Sequence, residues 1–300
     1  MIDRACISLG ERCNIHCKYC HFEQRLSKEH QEFDSCEIIS IVDNIRQYMD
    51  SNQIEKFKIG IVGAGEPMLE FAVIKALVEH IRNVGEKRIF FYTISNSILV
   101  NKNILEYFFE NRSIIALNYS YDGPEKIHNH GREKHAKVYT RILEYENLFS
   151  YKPPINCTIH RLSIENSNEL LQHFEAMNFP VVTFSRIVDT NDPKLAISKT
   201  EFDGFLELAR RYKIVIRQHM PGNEKKIDCT MYGNICGVGR TNIFFTRLGV
   251  FPSGRFYGNT KFKLGEFYDK IDSIQMNMNA IVPVEAGTCY FDYHNIGGQL

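Results

Sequence analysis

Three hundred residues with 36 Lys and Arg against 36 Asp and Glu carry no net charge at pH 7. No whole-chain field therefore draws the protein to nucleic acid or to an anionic membrane surface. The N-terminus, MIDRACISLG, has no apolar signal core, and no apolar run approaches a membrane span, so the expectation is a cytoplasmic protein with no nucleic-acid or membrane partner. Nine cysteines are an odd number in a long chain with no visible export signal, a pattern that favours metal binding over a disulfide framework.

The first element is a short apolar strand, Arg4 to Leu9. It runs into ERCNIHCKYCHF, where Cys13, Cys17 and Cys20 stand as C-x3-C-x2-C. Apolar residues at Ile38, Ile39, Val42, Ile45 and Met49 predict a helix from Ser35 to Met49, with Asp34 or Ser35 as N-cap. A strand over Phe57 to Val62 ends in Gly63-Ala64-Gly65-Glu66-Pro67, and a helix follows from about Leu69 to Arg82. Further strands are expected at Arg88–Ser95, Ile114–Tyr121, Ile155–His160, Val181–Arg186 and Tyr212–Gln218. Helices are expected at Ile104–Phe109, Lys137–Phe149, Glu165–Ala176 and Thr200–Arg211. Asp122-Gly123-Pro124 is a turn signal, and Pro153-Pro154 breaks the chain. Strand and helix alternate over roughly the first 215 residues, which implies βα units and a parallel sheet. Six or so units are too few for a closed eight-stranded barrel, so an open, partial (β/α)6 barrel of the α/β class is expected. After Met220-Pro221-Gly222 glycine is frequent and helices are hard to place, which puts a domain boundary near residue 220. Cys6, Cys36 and Cys157 lie in apolar surroundings and are expected as small buried residues.

The three-cysteine loop follows the first strand at its C-terminal end, where chemistry collects in βα folds. Thiolates are soft ligands that suit iron–sulfur clusters and zinc. Structural zinc takes four protein ligands. His16 and His21 sit directly beside Cys17 and Cys20, awkwardly for closing a tetrahedron, although a downstream ligand remains open. A four-iron cluster on three cysteines leaves one iron for another ligand.

The spacing, with Tyr19 before the last cysteine, resembles the signature of the radical S-adenosylmethionine (SAM) enzymes. That resemblance implies a [4Fe-4S] cluster on Cys13, Cys17 and Cys20 and SAM on its open iron. Cleavage of SAM to a 5′-deoxyadenosyl radical and hydrogen abstraction from a substrate would follow. GAGEP resembles the family's G-G-E-P segment, with Ala64 at the place of the first Gly. Gly65, Glu66 and Pro67 would then meet the SAM amino group. TISNS resembles a T-N-G segment, and Ser95 and Asn96 would reach the ribose or line the pocket. Leu117 to Arg132 resembles S-x-D-G-P-x-x-x-H-(D/N)-x-x-R of the anaerobic sulfatase-maturing enzymes and of peptide maturases with a SPASM or twitch extension. Ser120 is the first choice for holding the SAM carboxylate, with Arg132 and Arg141 competing for the arginine role. His128 is expected to organise its loop, and His130 and His135 to be solvated.

From Cys229 the chain resembles the start of a SPASM or twitch domain, with a hairpin over Phe244 to Val250 and a closing segment at Leu264-Gly265. Ser253 stands where the hairpin's cysteine would be. Residues 1–220 are thus expected as the catalytic barrel and 221–300 as a degenerate SPASM/twitch-like domain. Three cysteines exclude two full auxiliary clusters. One auxiliary cluster on Cys229, Cys236 and Cys289, or a domain that closes the barrel without clusters, both stand open.

The resemblance implies an oxidoreductase that modifies a ribosomally made peptide or a protein by crosslinking, epimerisation or oxidation. A dehydrogenase of a small amino sugar or alcohol, and a non-catalytic zinc protein, are the alternatives. An electron donor such as flavodoxin or ferredoxin is implied. The chain enters its first strand by about residue 4, so a separate leader-peptide-binding protein is a further candidate partner. Asp122 and Tyr121, with Tyr257 and Cys289, are catalytic candidates by chemistry alone.

Overall fold

The computed structural model describes residues 1–23, 31–187, 192–220 and 237–280. Six strands, β1 (Arg4–Ile7), β2 (Phe57–Ile61), β3 (Ile89–Ser95), β4 (Ile115–Ser120), β5 (Ile155–Ile159) and β6 (Val182–Arg186), lie in chain order across one parallel sheet. The helices between them are α1 (Ser35–Ser51), α2 (Phe71–Asn83), α3 (Lys102–Glu110), α4 (Glu125–Gly131), α5 (His135–Phe149), α6 (Arg161–Glu165) and α7 (Ser167–Met177). After β6 come α8 (Lys199–Ala209), a hairpin of β7 (Asn242–Thr246) and β8 (Gly249–Phe251), and α9 (Ile271–Ala280). This is the partial (β/α)6 barrel that the alternation of elements predicts. The hairpin adds to it, because β7 pairs parallel with β1 on the side away from β2.

The two faces of the sheet differ in a way the period-2 geometry of a strand makes visible. Ala5, Ile7, Ile115, Leu117, Tyr119, Ile155, Cys157 and Ile159 are buried under the helices. Their neighbours Arg4, Cys6, Ala116, Asn118, Asn156 and Thr158 are only half-covered. The helices bring matching stripes. On α1, Ile38, Ile41, Val42, Ile45 and Met49 are buried, behind a capping box in which Asp34 and Glu37 satisfy each other's backbone N–H. Among the described residues the main hydrophobic core thus sits on the helix side, while a smaller apolar cluster of Phe22, Ala64, Phe244 and Tyr257 packs with Cys6 on the inner face, most of whose other residues are only half-covered.

Some expected elements change. The expected strand Tyr212–Gln218 contributes a single bridge, Val182 to Ile216, and ends in a 3-10 turn at Arg217–His219. The Gln218 side chain takes the strand's place: its Oε1 accepts from Phe184 N at 3.4 Å and its Nε2 donates to Phe184 O. A side-chain amide thereby caps the outer edge of β6, which the sheet would otherwise leave unpaired. The expected helix Glu165–Ala176 is α7, and a short unexpected helix, α6, precedes it, the two parted at Asn166. Cys36 is exposed on the first turn of α1 and Cys6 is half-buried on the inner face, whereas Cys157 is buried as expected. Helix α9 had no counterpart in the sequence reading. Leu264 and Gly265 close on Val250 through backbone bonds of 2.7 and 2.8 Å. Among the described residues no helix is long and apolar enough to cross a membrane.

Gln218 is fully buried, so Gln218→Ala leaves both Phe184 backbone groups unpaired and should cost about 1–3 kcal/mol. Urea unfolding at neutral pH measures this. A midpoint equal to that of the unsubstituted protein would refute the edge-capping role.

Candidate active site

The cysteine loop leaves β1 at its C-terminal end and is held from two sides. On one side is the segment after β2. Glu66 N–H donates to Arg12 O at 2.8 Å, and Ala64 N–H donates to Ser8 Oγ at 3.0 Å. Gly65 presses on the loop so closely that a Cβ there would lie 2.5 Å from Arg12 O and 2.7 Å from Gly10 O. Only glycine permits this approach. Ala64, the departure from the usual glycine, packs its methyl with Phe22, Phe244 and Tyr257. Pro67 opens a 3-10 turn that Glu66 caps.

The Glu66 carboxylate is buried and fully engaged. Oε1 accepts from Ser95 Oγ at 2.7 Å and Met68 N at 3.1 Å, and Oε2 accepts from Asn96 N at 2.8 Å. Burial pushes its pKa up, and the donations from Asn96, Ser95 and Met68 oppose that shift without cancelling it. Asn96 continues the chain of bonds, since its Nδ2 donates to Asn14 Oδ1 at 2.7 Å and reaches Cys13 Sγ at 3.9 Å. The ends of β2 and β3 are therefore tied to the first cysteine.

On the other side is the segment after β4. Asp122 is fully buried. Its Oδ2 accepts from Tyr19 OH and from Arg132 Nε at 3.4 Å, and its Oδ1 accepts from Thr158 N at 2.8 Å. Burial alone would raise its pKa, but Arg132, His128 and the donors from Tyr19 and Thr158 win and hold it below the usual carboxylate value. The Arg132 guanidinium lies 5.5 Å from the Tyr19 ring centroid, and Lys18 N donates to Gly131 O at 2.9 Å. At Gly131 a Cβ would fall 2.6 Å from the Tyr19 ring. The polar stretch expected as a loop is instead the short helix α4. His128 organises it as expected: its Nδ1 accepts from Asp122 N at 3.1 Å and its Nε2 donates to Glu133 O at 3.0 Å.

The three thiols sit between these flanks, Cys13 exposed and Cys17 and Cys20 partly covered. Burial raises the Cys13 pKa and takes Cys17 up to about 12, and each of the two also feels Cys20. Among the described residues no three His, Cys, Asp or Glu side chains converge to hold a single metal ion. Three neighbouring sulfur donors are the ligand chemistry of an iron–sulfur cubane, in which each thiolate takes its own iron and ligation removes the proton. The donor set thus fits a [4Fe-4S] cluster.

The remaining expected residues divide. Ser120 ends β4 beside the same mouth. Arg141 lies on α5, paired with Glu144 of its own helix, so Arg132 is the arginine that meets the cysteine loop. Tyr121 is turned to the helix side. It is fully buried against Phe174 and Phe179, with its OH 3.1 Å from His135 Nε2 and 2.9 Å from His173 Nε2. His135 is thereby a half-buried partner, not the solvated side chain expected. Tyr257 donates its OH to the buried Glu11, beside the loop, whose other oxygen accepts from Gln31 N at 3.0 Å. Ser253 caps a short 3-10 turn through Arg255 N. Cys229, Cys236 and Cys289 lie outside the described residues. The sequence reading missed Glu11, Asn14 and His173. No spacing rule pairs Glu11 with a tyrosine 246 positions away.

A family model described as the Radical SAM superfamily matches residues 7–177. A radical SAM cyclopropyl synthase, TigE, of Paramaledivibacter caminithermalis is 22% identical over an alignment of 195 residues that covers 61% of this chain. The match spans 40% of that curated relative's length. Among solved structures, anSMEcpe with bound AdoMet and Cp18Cys peptide superposes with a TM-score of 0.71 at 18% identity, over 90% of this chain and 79% of that one. SuiB of Streptococcus suis bound to its precursor peptide SuiA gives a TM-score of 0.64 at 14% identity, over 92% of this chain and 64% of that one. At these identities the structural likeness shows the fold.

Gly65→Ala forces a methyl against two backbone oxygens and should cost about 1–3 kcal/mol. An unchanged thermal midpoint would show that the loop yields freely. A second expectation concerns acid. Burial lowers His128 and His173 from 6.5 to about 4. Between those values the unfolded chain binds more protons than the folded one, so stability is full above pH 6.5 and falls as pH drops through the window. Urea midpoints at pH 7.5 and pH 5 measure the loss, which His173→Gln should reduce. Equal midpoints at the two pH values would contradict it.

Proposed function

This chain belongs to the radical SAM superfamily, and on that premise we propose that it modifies a peptide or protein by hydrogen-atom abstraction, with crosslinking, epimerisation or oxidation as the outcome. The observation that carries this reading is a loop of three thiols, clamped on both flanks, at the mouth of a half-covered inner sheet face. The likeness of the fold to anSMEcpe and SuiB, two proteins described with bound peptides, supports a peptide substrate.

In this reading Cys13, Cys17 and Cys20 hold the [4Fe-4S] cluster, and Gly65, Glu66, Pro67, Asn96 and Ser120 line the place for SAM. When bound, cluster and SAM together supply a carbon radical strong enough to take hydrogen from an unactivated C–H bond. Glu66 offers its negative charge to an ammonium group, and Ser120 offers a hydroxyl at the strand end. Gly65 keeps the backbone close, and the apolar cluster of Phe22, Ala64, Phe244 and Tyr257 excludes water behind the loop. Residues 1–220 as the barrel and 221–300 as a SPASM/twitch-like part belong to the same proposal, as does a second cluster on Cys229, Cys236 and Cys289. So does a small one-electron donor such as flavodoxin or ferredoxin.

Anaerobically purified protein should carry about four irons per chain for one cluster, or about eight with an auxiliary one. Cys13→Ala, Cys17→Ala and Cys20→Ala should each lose the first cluster. Reduced protein given SAM and a short peptide encoded beside its gene should lower the peptide's mass by two hydrogens or rearrange it. Zinc in place of iron, or turnover of small alcohols and not of the peptide, would overturn the reading.

A further inference from the structure

Arg132 is one of two arginines expected to compete for the SAM carboxylate, yet the structure gives its charge another counterion. Its side chain is 12% exposed, its Nε sits 3.4 Å from the fully buried Asp122, and its guanidinium lies over the Tyr19 ring. Tyr19 stands between Cys17 and Cys20 and donates its OH to the same Asp122 oxygen. Thr158 N holds the other oxygen at 2.8 Å, and Lys18 N is bonded to Gly131 O. Backbone and side-chain bonds from β4, β5, α4 and the loop thus fix one cation against the cysteine loop. Arg132 is also the largest charge acting on the Cys17 thiol.

We propose that Arg132, fixed by Asp122 and Tyr19, is the positioning charge that sets how readily the cluster on Cys13, Cys17 and Cys20 accepts an electron. The inference rests on the proposed function. Reduction adds one negative charge to the cluster, and a nearby cation in a poorly solvated site stabilises the reduced state more than the oxidised one. Asp122 opposes that effect and holds the cation in place.

The test is a redox titration of the full chain, followed by EPR without SAM, together with SAM affinity. Arg132→Gln should shift the midpoint to more negative values by at least about 59 mV, a tenfold weaker one-electron reduction. Arg132→Lys, which keeps the charge, should stay near the unsubstituted protein. Asp122→Asn should shift the midpoint the opposite way. SAM affinity of Arg132→Gln should change less than about tenfold. If that variant does not fold, the double variant Asp122→Asn with Arg132→Gln removes the pair together and should titrate between the two single variants. Equal midpoints for Arg132→Gln and the unsubstituted protein, shifts of the same sign for Arg132→Gln and Asp122→Asn, or a double variant outside their range would overturn the inference. Loss of SAM affinity with no change in midpoint would return Arg132 to the cofactor's carboxylate. An unsubstituted protein with no cluster signal would overturn the function itself, and this inference with it.

Discussion

Two buried carboxylates hold the site together. A loop of about a dozen residues carrying three thiols has no intrinsic reason to keep one shape, because ordering it costs about 1–2 kcal/mol per residue in backbone entropy. Glu66 and Asp122 oppose that cost. Each is buried, each accepts three or more hydrogen bonds, and each gathers donors from separate parts of the chain. Glu66 joins the ends of β2 and β3, while its own N–H reaches Arg12. Asp122 joins the ends of β4 and β5 to Tyr19 inside the loop. A buried charge with unsatisfied valences would be expensive. Here each carboxyl group is surrounded by donors, so the pattern of donors specifies a single loop position.

The sheet makes that clamp feasible. Parallel strands in chain order bring their C-terminal ends to one rim, so residues separated by a whole βα unit become neighbours. Among the described residues the helices between the strands pack on one face, and much of the other face is only half-covered. The C-terminal hairpin extends the rim past β1. Phe244 on β7 and Tyr257 after β8 pack with Phe22 just beyond the third cysteine, and the Tyr257 hydroxyl reaches Glu11 just before the first. The third support for the loop therefore comes from the far end of the chain.

The parts of this architecture that the sequence revealed were those carried by local rules. Period-3.6 stripes and the Asp34 cap placed α1, apolar runs placed the six strands, and the spacing of Cys13, Cys17 and Cys20 marked the loop. Where local rules conflicted with long-range geometry the sequence misled. Tyr212 to Gln218 has strand-like residues, but the edge of β6 is satisfied by an amide side chain. His135 looks like a loop residue, but α4 and α7 close around it at Tyr121. Arg132 and Arg141 were indistinguishable by spacing, and only the fold shows one at the loop and the other paired along its own helix.

The amino-acid pattern alone places the strands and helices in order, locates the three thiols, and marks the turn segments GAGEP and YDGP that flank them. These follow from neighbours within a few residues, where backbone periodicity and steric limits act. Which side chains those segments hold emerges from the folded chain: Asp122 accepts hydrogen bonds from Tyr19, Arg132 and Thr158, Tyr121 turns to the helix side, and Tyr257 closes on Glu11. Such pairings depend on which buried donors find which acceptors across tens to hundreds of positions, and no pattern of nearby residues encodes that choice.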